Sequence, residues 1–347
     1  MSACQPPPST LPDRLSAPQF GQLIEEISEE SGNFESDNLI SNETAYLQVV
    51  DHLRRCERDQ VYLGVGPEQN FSYIAALQPR LAFIVDIRRD NLLEHLLFKA
   101  IFELAPTPRE YLEKLLCRKI QGGPSEWVRQ LQSARPDEEL FQTNLAAIQG
   151  LIANYGARLE RPDNDKIEKL YRTFFEQGLD LRYEVHNPES GDRVYPSLRE
   201  VLLSDPEQSF LGQDAAYALI RKMQQENRII PVVGDFAGGK ALRAIASYVR
   251  KHNAKVSAFY LSNVEYYLLP DQELDDVYEE FLGNLRALPS NSRTLLIRSW
   301  LNDPKNHPQK TGQHLFTTVA QPLQLFLRRV EENRYTTYQD ILFDAGR

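Results

Sequence analysis

Two glycines and one carboxylate carry the strongest chemical signal in the chain. Gly64 and Gly66 lie in the run Val61-Tyr62-Leu63-Gly64-Val65-Gly66-Pro67-Glu68-Gln69-Asn70, and Asp86 closes a second apolar run 22 residues after Gly64. The first glycine permits a sharp turn, and the second lets a ligand approach backbone with no Cβ in the way. A carboxylate at the tip of the following strand can accept hydrogen bonds from both hydroxyls of a ribose. The pattern describes a nucleoside site. A pyrophosphate-binding turn needs a further glycine three residues after the second, and here that position is Gln69. Glu68 beside it would repel a pyrophosphate but not a sulfonium or ammonium cation, so the turn favours a mononucleoside-like ligand over NAD or FAD.

These residues need strands and helices to hold them. Gln60–Gly64 and Leu81–Val85 read as strands, with helices at about Asn70–Leu77 and Asn91–Leu104. In the second helix Leu92, Leu93, Leu96, Leu97, Ala100, Ile101 and Leu104 recur at helical spacing, until Pro106 and Pro108 end it. Further strands are expected at Ile229–Gly234, Lys255–Leu261 and Arg293–Trp300, alternating with helices at 213–227, 241–252 and 275–288. Near-continuous apolar strands joined by helices imply parallel strands buried on both faces, hence an open α/β sheet of at least five strands flanked by helices.

Four parts follow. Residues 1–33 form a proline-bearing, loosely docked tail and a short helix at about 20–30, and 34–104 hold the first part of the sheet, with a helix at 43–58. Residues 105–211, with helices at 109–119, 125–132, 137–158 and 163–177 and a small hairpin over 181–195, read as a mainly helical insertion that covers the ligand end of the sheet. Residues 212–347 complete the sheet, with a last helix at about 317–332.

Ligands of an open parallel sheet lie at the carboxyl ends of its strands. Those ends offer Gly64, Gly66, Glu68 and Asn70; Asp86, Arg88 and Arg89; Asp235 and Phe236; Ser262, Asn263 and Glu265; and Ser299 with Trp300. Arg88 and Arg89 suit a substrate carboxylate or phosphate, while Tyr266 and Tyr267 suit an aromatic wall for a cationic ligand. Several residues have plainer roles open to them. Asp86 can pair with an arginine or cap a helix, Asp235 can cap the helix after Gly239, and Tyr260 reads as core. Asn91, His95 and Lys99 share one helix face, either a polar stripe that reaches the site or, on the plainer reading, a solvated face. His307 and His314 sit in loop composition, and no metal site is expected.

The order Gly64-Val65-Gly66, Val85-Asp86, Val233-Gly234-Asp235, Tyr260-Leu261-Ser262-Asn263 resembles the successive motifs of class I S-adenosylmethionine-dependent methyltransferases, and its fuller wording resembles a bacterial family of methyltransferase-like proteins. The resemblance covers residues 60–104 and 212–301. It implies a Rossmann-like, methyltransferase-like sheet with S-adenosylmethionine held by Gly64, Gly66, Glu68, Asn70, Asp86, Asp235, Phe236 and Ser262. Ser262, Asn263 and Glu265 are then the candidates for catalysis, and Arg88, Arg89, Tyr266 and Tyr267 for the methyl acceptor, a small molecule. In that family the segment before the first strand closes over the ligand, which makes Glu43 a second acid. Tyr62 stands where the family carries an acid, and Glu68 replaces a glycine. Those departures keep open a non-catalytic nucleoside-binding or scaffold protein on the same fold, and Arg88 with Arg89 meeting a phosphate keeps open another nucleotide-using enzyme.

Composition sets outer limits. With 347 residues, 41% hydrophobic and 25% charged, the chain can bury a sizeable core. A net charge of −10 argues against nucleic acid as a partner. Cys4, Cys56 and Cys117 show no metal or disulfide spacing, and neither a signal-peptide pattern nor a membrane span is seen, so a cytoplasmic location is expected.

Overall fold

The computed structural model describes residues 8–36, 39–122, 124–185, 194–202, 207–269 and 276–345. Helix α1 (Ala17–Ile27) opens the chain behind a capping box in which Ser16 and Gln19 satisfy each other's backbone N–H groups. The segment read as a loose tail is docked where it is described: Leu11 and Leu15 are buried, and Leu15 N–H donates to the Glu226 carbonyl. Two apolar side chains and a backbone bond outweigh the prolines around them. The helix expected over 43–58 is only a 3-10 turn (Tyr46–Val49) running into the short α2 (Val50–Leu53).

Then follow β1 (Val61–Gly64), α3 (Gln69–Leu77), β2 (Leu81–Asp86) and α4 (Arg89–Leu104). Residues 105–211 hold α5 (Pro108–Leu116), α6 (Pro124–Ser133), α7 (Glu138–Ile152), α8 (Asp163–Gln177) and α9 (Leu198–Leu202). The turn of the expected hairpin, 187–191, lies outside the described residues; its flanks make isolated bridges, Arg182 with Ser197 and Val185 with Ser36. Next come α10 (Asp214–Gln225), β3 (Ile229–Val233), α11 (Ala241–Lys251), β4 (Val256–Ser262), α12 (Val264–Tyr267) and α13 (Asp276–Ala287). β5 (Leu295–Leu301), β6 (Phe316–Pro322), α14 (Leu323–Glu331) and α15 (Tyr338–Asp344) complete the chain.

The six strands form one mixed sheet in the order β3-β2-β1-β4-β5-β6. All neighbours are parallel except β5 and β6. β1, β2 and β3 are buried at every position, as the unbroken apolar runs require of strands covered on both faces. β6 corrects the sequence reading, which placed a helix from Thr317. The β-branched run Thr317-Thr318-Val319 pairs instead with Trp300, Ser299 and Arg298, and the helix starts only after Pro322.

α4 is the second correction. The face carrying Asn91, His95 and Lys99 is not solvated, since all three are at most 2% exposed. α4 is enclosed by the sheet on one side and by α5, α7, α8 and α10 on the others, so His95 and Lys99 bond internally, while the Asn91 amide is buried with no hydrogen-bond partner among the described residues. Lys99 Nζ donates to Glu103 at 2.8 Å and to the Gln224 carbonyl, over the Tyr155 ring.

Candidate functional site

At the carboxyl end of the sheet the strand order reverses between β1 and β4, and the space so opened is a cleft of about 900 Å³, partly open to solvent. Parallel sheets place ligands at such a crevice because the loops on either side diverge there. From β1 it is lined by Val65, Gly66 and Pro67, from β2 by Asp86, Ile87 and Arg88, from β3 by Gly234, Asp235 and Phe236, and from β4 by Ser262 and Asn263.

The glycine turn is built by side chains as much as by glycines. Asn70 Nδ2 donates to the carbonyls of Val65, Gly66 and Pro67 at 2.9, 3.2 and 2.8 Å, and its Oδ1 accepts from the Tyr62 hydroxyl at 2.8 Å. Gly66 has φ +77°, and a Cβ there would meet only the Gln69 amide at 3.3 Å, so bare backbone faces the cleft. Gly64 plays another part. A Cβ on it would stand 2.0 Å from Asn70 Oδ1 and 2.7 Å from the Tyr62 hydroxyl. Gly64 and Asn70 therefore support the turn from behind rather than line the cleft. Gly64→Ala is expected to destabilise the protein by about 1–3 kcal/mol through overpacking, and an unchanged midpoint in chemical denaturation would refute this.

Glu68 also leaves the cleft. Its Oε1 accepts from Ser41 N–H at 3.4 Å, and the residue lines a small separate cavity together with Phe98, Tyr111, Phe174 and Phe210. Burial pushes its carboxyl up to about 7. His95 is below the turn, where its Nε2 lies 2.9 Å from the Gly66 carbonyl. A carbonyl can only accept, so Nε2 carries the proton, and burial lowers this imidazole to about 4.

Asp86 pairs with its neighbour, as the plainer reading allowed. Oδ1 accepts from Arg88 N–H at 2.9 Å and Nε at 3.2 Å, and Oδ2 accepts from Nη2 at 3.2 Å. Both residues still line the cleft. Arg89 points elsewhere, with its guanidinium bound to Asp163 at 2.6 Å and to the Arg158 carbonyl, which ties α8 to the start of α4. Asp235 lines the cleft while its Oδ1 accepts from Ala237 N–H at 2.9 Å. It does not cap α11; the backbone N–H groups of Lys240 and Ala241 go to Glu29, from the segment after α1.

Ser262 ends β4 with φ +51°, an uncommon conformation for a residue with a Cβ, at a register shift against β5. The strain turns its hydroxyl toward Glu43, whose Oε1 accepts it at 2.6 Å. Glu43 is 1% exposed and its carboxyl is raised, first by burial and against the pull of nearby hydroxyls. Asn263 lines the cleft, but Glu265 does not. It is fully buried under β4 and β5, bound to Arg298 and to the Tyr278 hydroxyl at 2.7 Å. Tyr267 reaches the cleft, Tyr266 opens onto an adjoining chamber, and Tyr260 is buried yet contributes to the cleft wall.

Sequence reasoning missed Phe34, Ser41, Asn42, Gln69, Tyr183 and Leu268, which also line the cleft. Residues 33–42 carry only loop composition, and Tyr183 follows a long helical stretch, so neither advertises a place at the site. His307 and His314 act separately, near the Leu342 carbonyl and the Thr44 hydroxyl. Among the described residues no three His, Cys, Asp or Glu side chains are grouped to hold a metal ion, and no helix is long and apolar enough to cross a membrane.

No curated protein matches the chain. Residues 39–346 match a family described as a domain of unknown function, DUF7790, and with most of its length covered the chain belongs to that family.

Proposed function

We propose that the cleft of this Rossmann-like sheet binds S-adenosylmethionine and that the protein transfers its methyl group to a small molecule. The observation that carries this reading is the convergence of Gly66, Asp86, Asp235 and Ser262 from the ends of four strands on one cleft. The residues suit such a ligand. The bare backbone at Gly66 admits close approach. A carboxylate has about four acceptor positions, and Arg88 occupies three on Asp86, leaving room on Oδ2 for a ribose hydroxyl. Phe236, Ile87, Val264 and Leu268 supply apolar surface for a base. Two carboxylates against one guanidinium keep the lining net acidic, which favours a cationic donor. When bound, the sulfonium supplies the activated methyl group, and the chain's own task is to position the acceptor and exclude water.

Arg88 favours a second reading. The residue lines the cleft, and its guanidinium, held by Asp86 and the Ser36 carbonyl, would suit a phosphate if it turned from them, as a phosphorylated nucleotide would require. Calorimetric titration with S-adenosylmethionine, S-adenosylhomocysteine, NAD and ATP separates the two. Binding of the first pair alone supports methyl-donor recognition, and preference for ATP supports the nucleotide reading. Asp86→Ala is expected to weaken S-adenosylmethionine by about 1.5–3 kcal/mol, the worth of a charged acceptor. Unchanged affinity with an intact circular dichroism spectrum would remove Asp86 from the site.

A further inference from the structure

Beside the cleft lies a larger chamber of about 1630 Å³, open to solvent, which shares Phe34, Asn42, Tyr183, Asn263 and Tyr267 with it. It sits over the ends of β4 and β5, and Tyr195, Tyr266, Trp300 and Tyr338 form further walls. Tyr266 and Tyr267 are 56% and 43% exposed. The rings stand at many angles: Phe34 meets Tyr267 edge-on at 5.0 Å, Tyr266 meets Tyr267 at 85°, and Trp300 stacks with Tyr338 at 27°. Such a wall offers both faces and edges to one space, which suits a flat aromatic guest.

The partition between cleft and chamber is polar. Ser262 faces the cleft and Ser299 lines the chamber, and Glu43 lies behind both. Glu43 Oε1 accepts from Ser262, and Oε2 is buried with no hydrogen-bond partner among the described residues. A buried carboxylate among hydroxyl groups, with no cation paired to it there and the strained Ser262 between it and the cleft, is an arrangement for receiving a proton rather than for stability.

We propose that the chamber takes the ring of a planar aromatic hydroxyl compound as acceptor, that its hydroxyl reaches past Asn263 into the cleft, and that the hydroxyl proton passes there through Ser262 to Glu43. The proposal rests on the reading of the cleft given above. The acceptor O–H bond breaks as its proton moves to Ser262 Oγ, and Ser262 gives its own proton to Glu43 Oε1. The acceptor oxygen bonds the methyl carbon, and the carbon–sulfur bond of the sulfonium donor breaks with its electron pair on sulfur. Ser262 is the residue that touches the acceptor, and Glu43 acts through it.

The test needs no cofactor. The full-length chain is titrated with 7-hydroxycoumarin and with 7-methoxycoumarin, its methylated counterpart, and fluorescence is followed. Saturable binding is expected, about tenfold tighter for the hydroxyl compound, the upper end of what one hydrogen bond between neutral groups supplies. Trp300→Ala weakens both ligands. Glu43→Gln brings their affinities close to parity, and Ser262→Ala does the same should the Glu43→Gln variant not fold. Failure of both coumarins to bind, or their displacement by choline, overturns the acceptor class. A hydroxyl preference that survives both substitutions overturns the relay. Because no methyl donor is present, either failure stands apart from the calorimetric result on the cleft.

Discussion

Glu265→Ala is expected to cost about 3–5 kcal/mol of stability, the penalty for stranding a buried charge. Sequence position makes Glu265 a candidate for catalysis, three residues past the end of β4, but its surroundings are structural. Arg298 on β5 and Glu265 are both 0% exposed, joined by two guanidinium–carboxylate contacts. Arg298 also donates to Gln321 on β6 at 3.0 Å and lies over the Phe326 ring of α14 at 4.3 Å. Gln321 donates in turn to Tyr335, whose hydroxyl reaches Asp344 at 2.6 Å. One ion pair thus links α12, both strands at this edge and the C-terminal helices. Urea denaturation measures the loss. The double variant Glu265→Met with Arg298→Met should recover much of it, because two apolar side chains leave no charge unpaired. If the single variant kept its midpoint and instead lost ligand binding, Glu265 would belong to the site after all.

Glu68→Gln is expected to stabilise the protein above neutrality. In the unfolded chain this carboxyl titrates near 4.5, and burial raises it to about 7 in the fold, so the native state holds the proton more tightly. The stability that this confers is fully present below the unfolded value and is lost as pH rises through about 7. Above that range the ionised carboxylate is buried, its Oε2 without a partner among the described residues, facing Glu94, whose own carboxyl is raised by burial and then by Glu68. The wild type therefore carries a penalty of about 3 kcal/mol at pH 8 that a neutral amide lacks, from 1.36 kcal/mol per pKa unit. Denaturation of both proteins at about pH 5 and about pH 8 checks this. The stability difference should swing toward the glutamine variant at the higher pH, and an equal difference at both would show that Glu68 is not ionising inside the fold.

Both residues mark where local sequence stops being informative. Sequence alone determined the alternation of strands and helices, because unbroken apolar runs such as Leu81–Val85 and helical spacing such as Leu92–Leu104 are properties of a few adjacent residues. It also determined that Gly66, Asp86, Asp235, Phe236, Ser262 and Asn263 stand at strand ends, and the cleft lies there. β6 was misread because its pairing depends on β5, a partner about 20 residues away.

Side-chain direction was decided only by the tertiary structure. Glu68 and Glu265 each stand next to a cleft-lining residue, Pro67 and Val264, yet their carboxyls turn to Ser41 and Arg298, distant in the chain. Arg88 folds onto Asp86 while Arg89 crosses to α8. His95 and Lys99 look solvated in a single helix and are buried because α5, α7, α8 and α10 pack over α4. Glu43 meets Ser262 across more than 200 residues of sequence. A strand or helix follows from its own few residues, whereas the choice between facing a ligand and bracing the fold depends on which distant element arrives beside it.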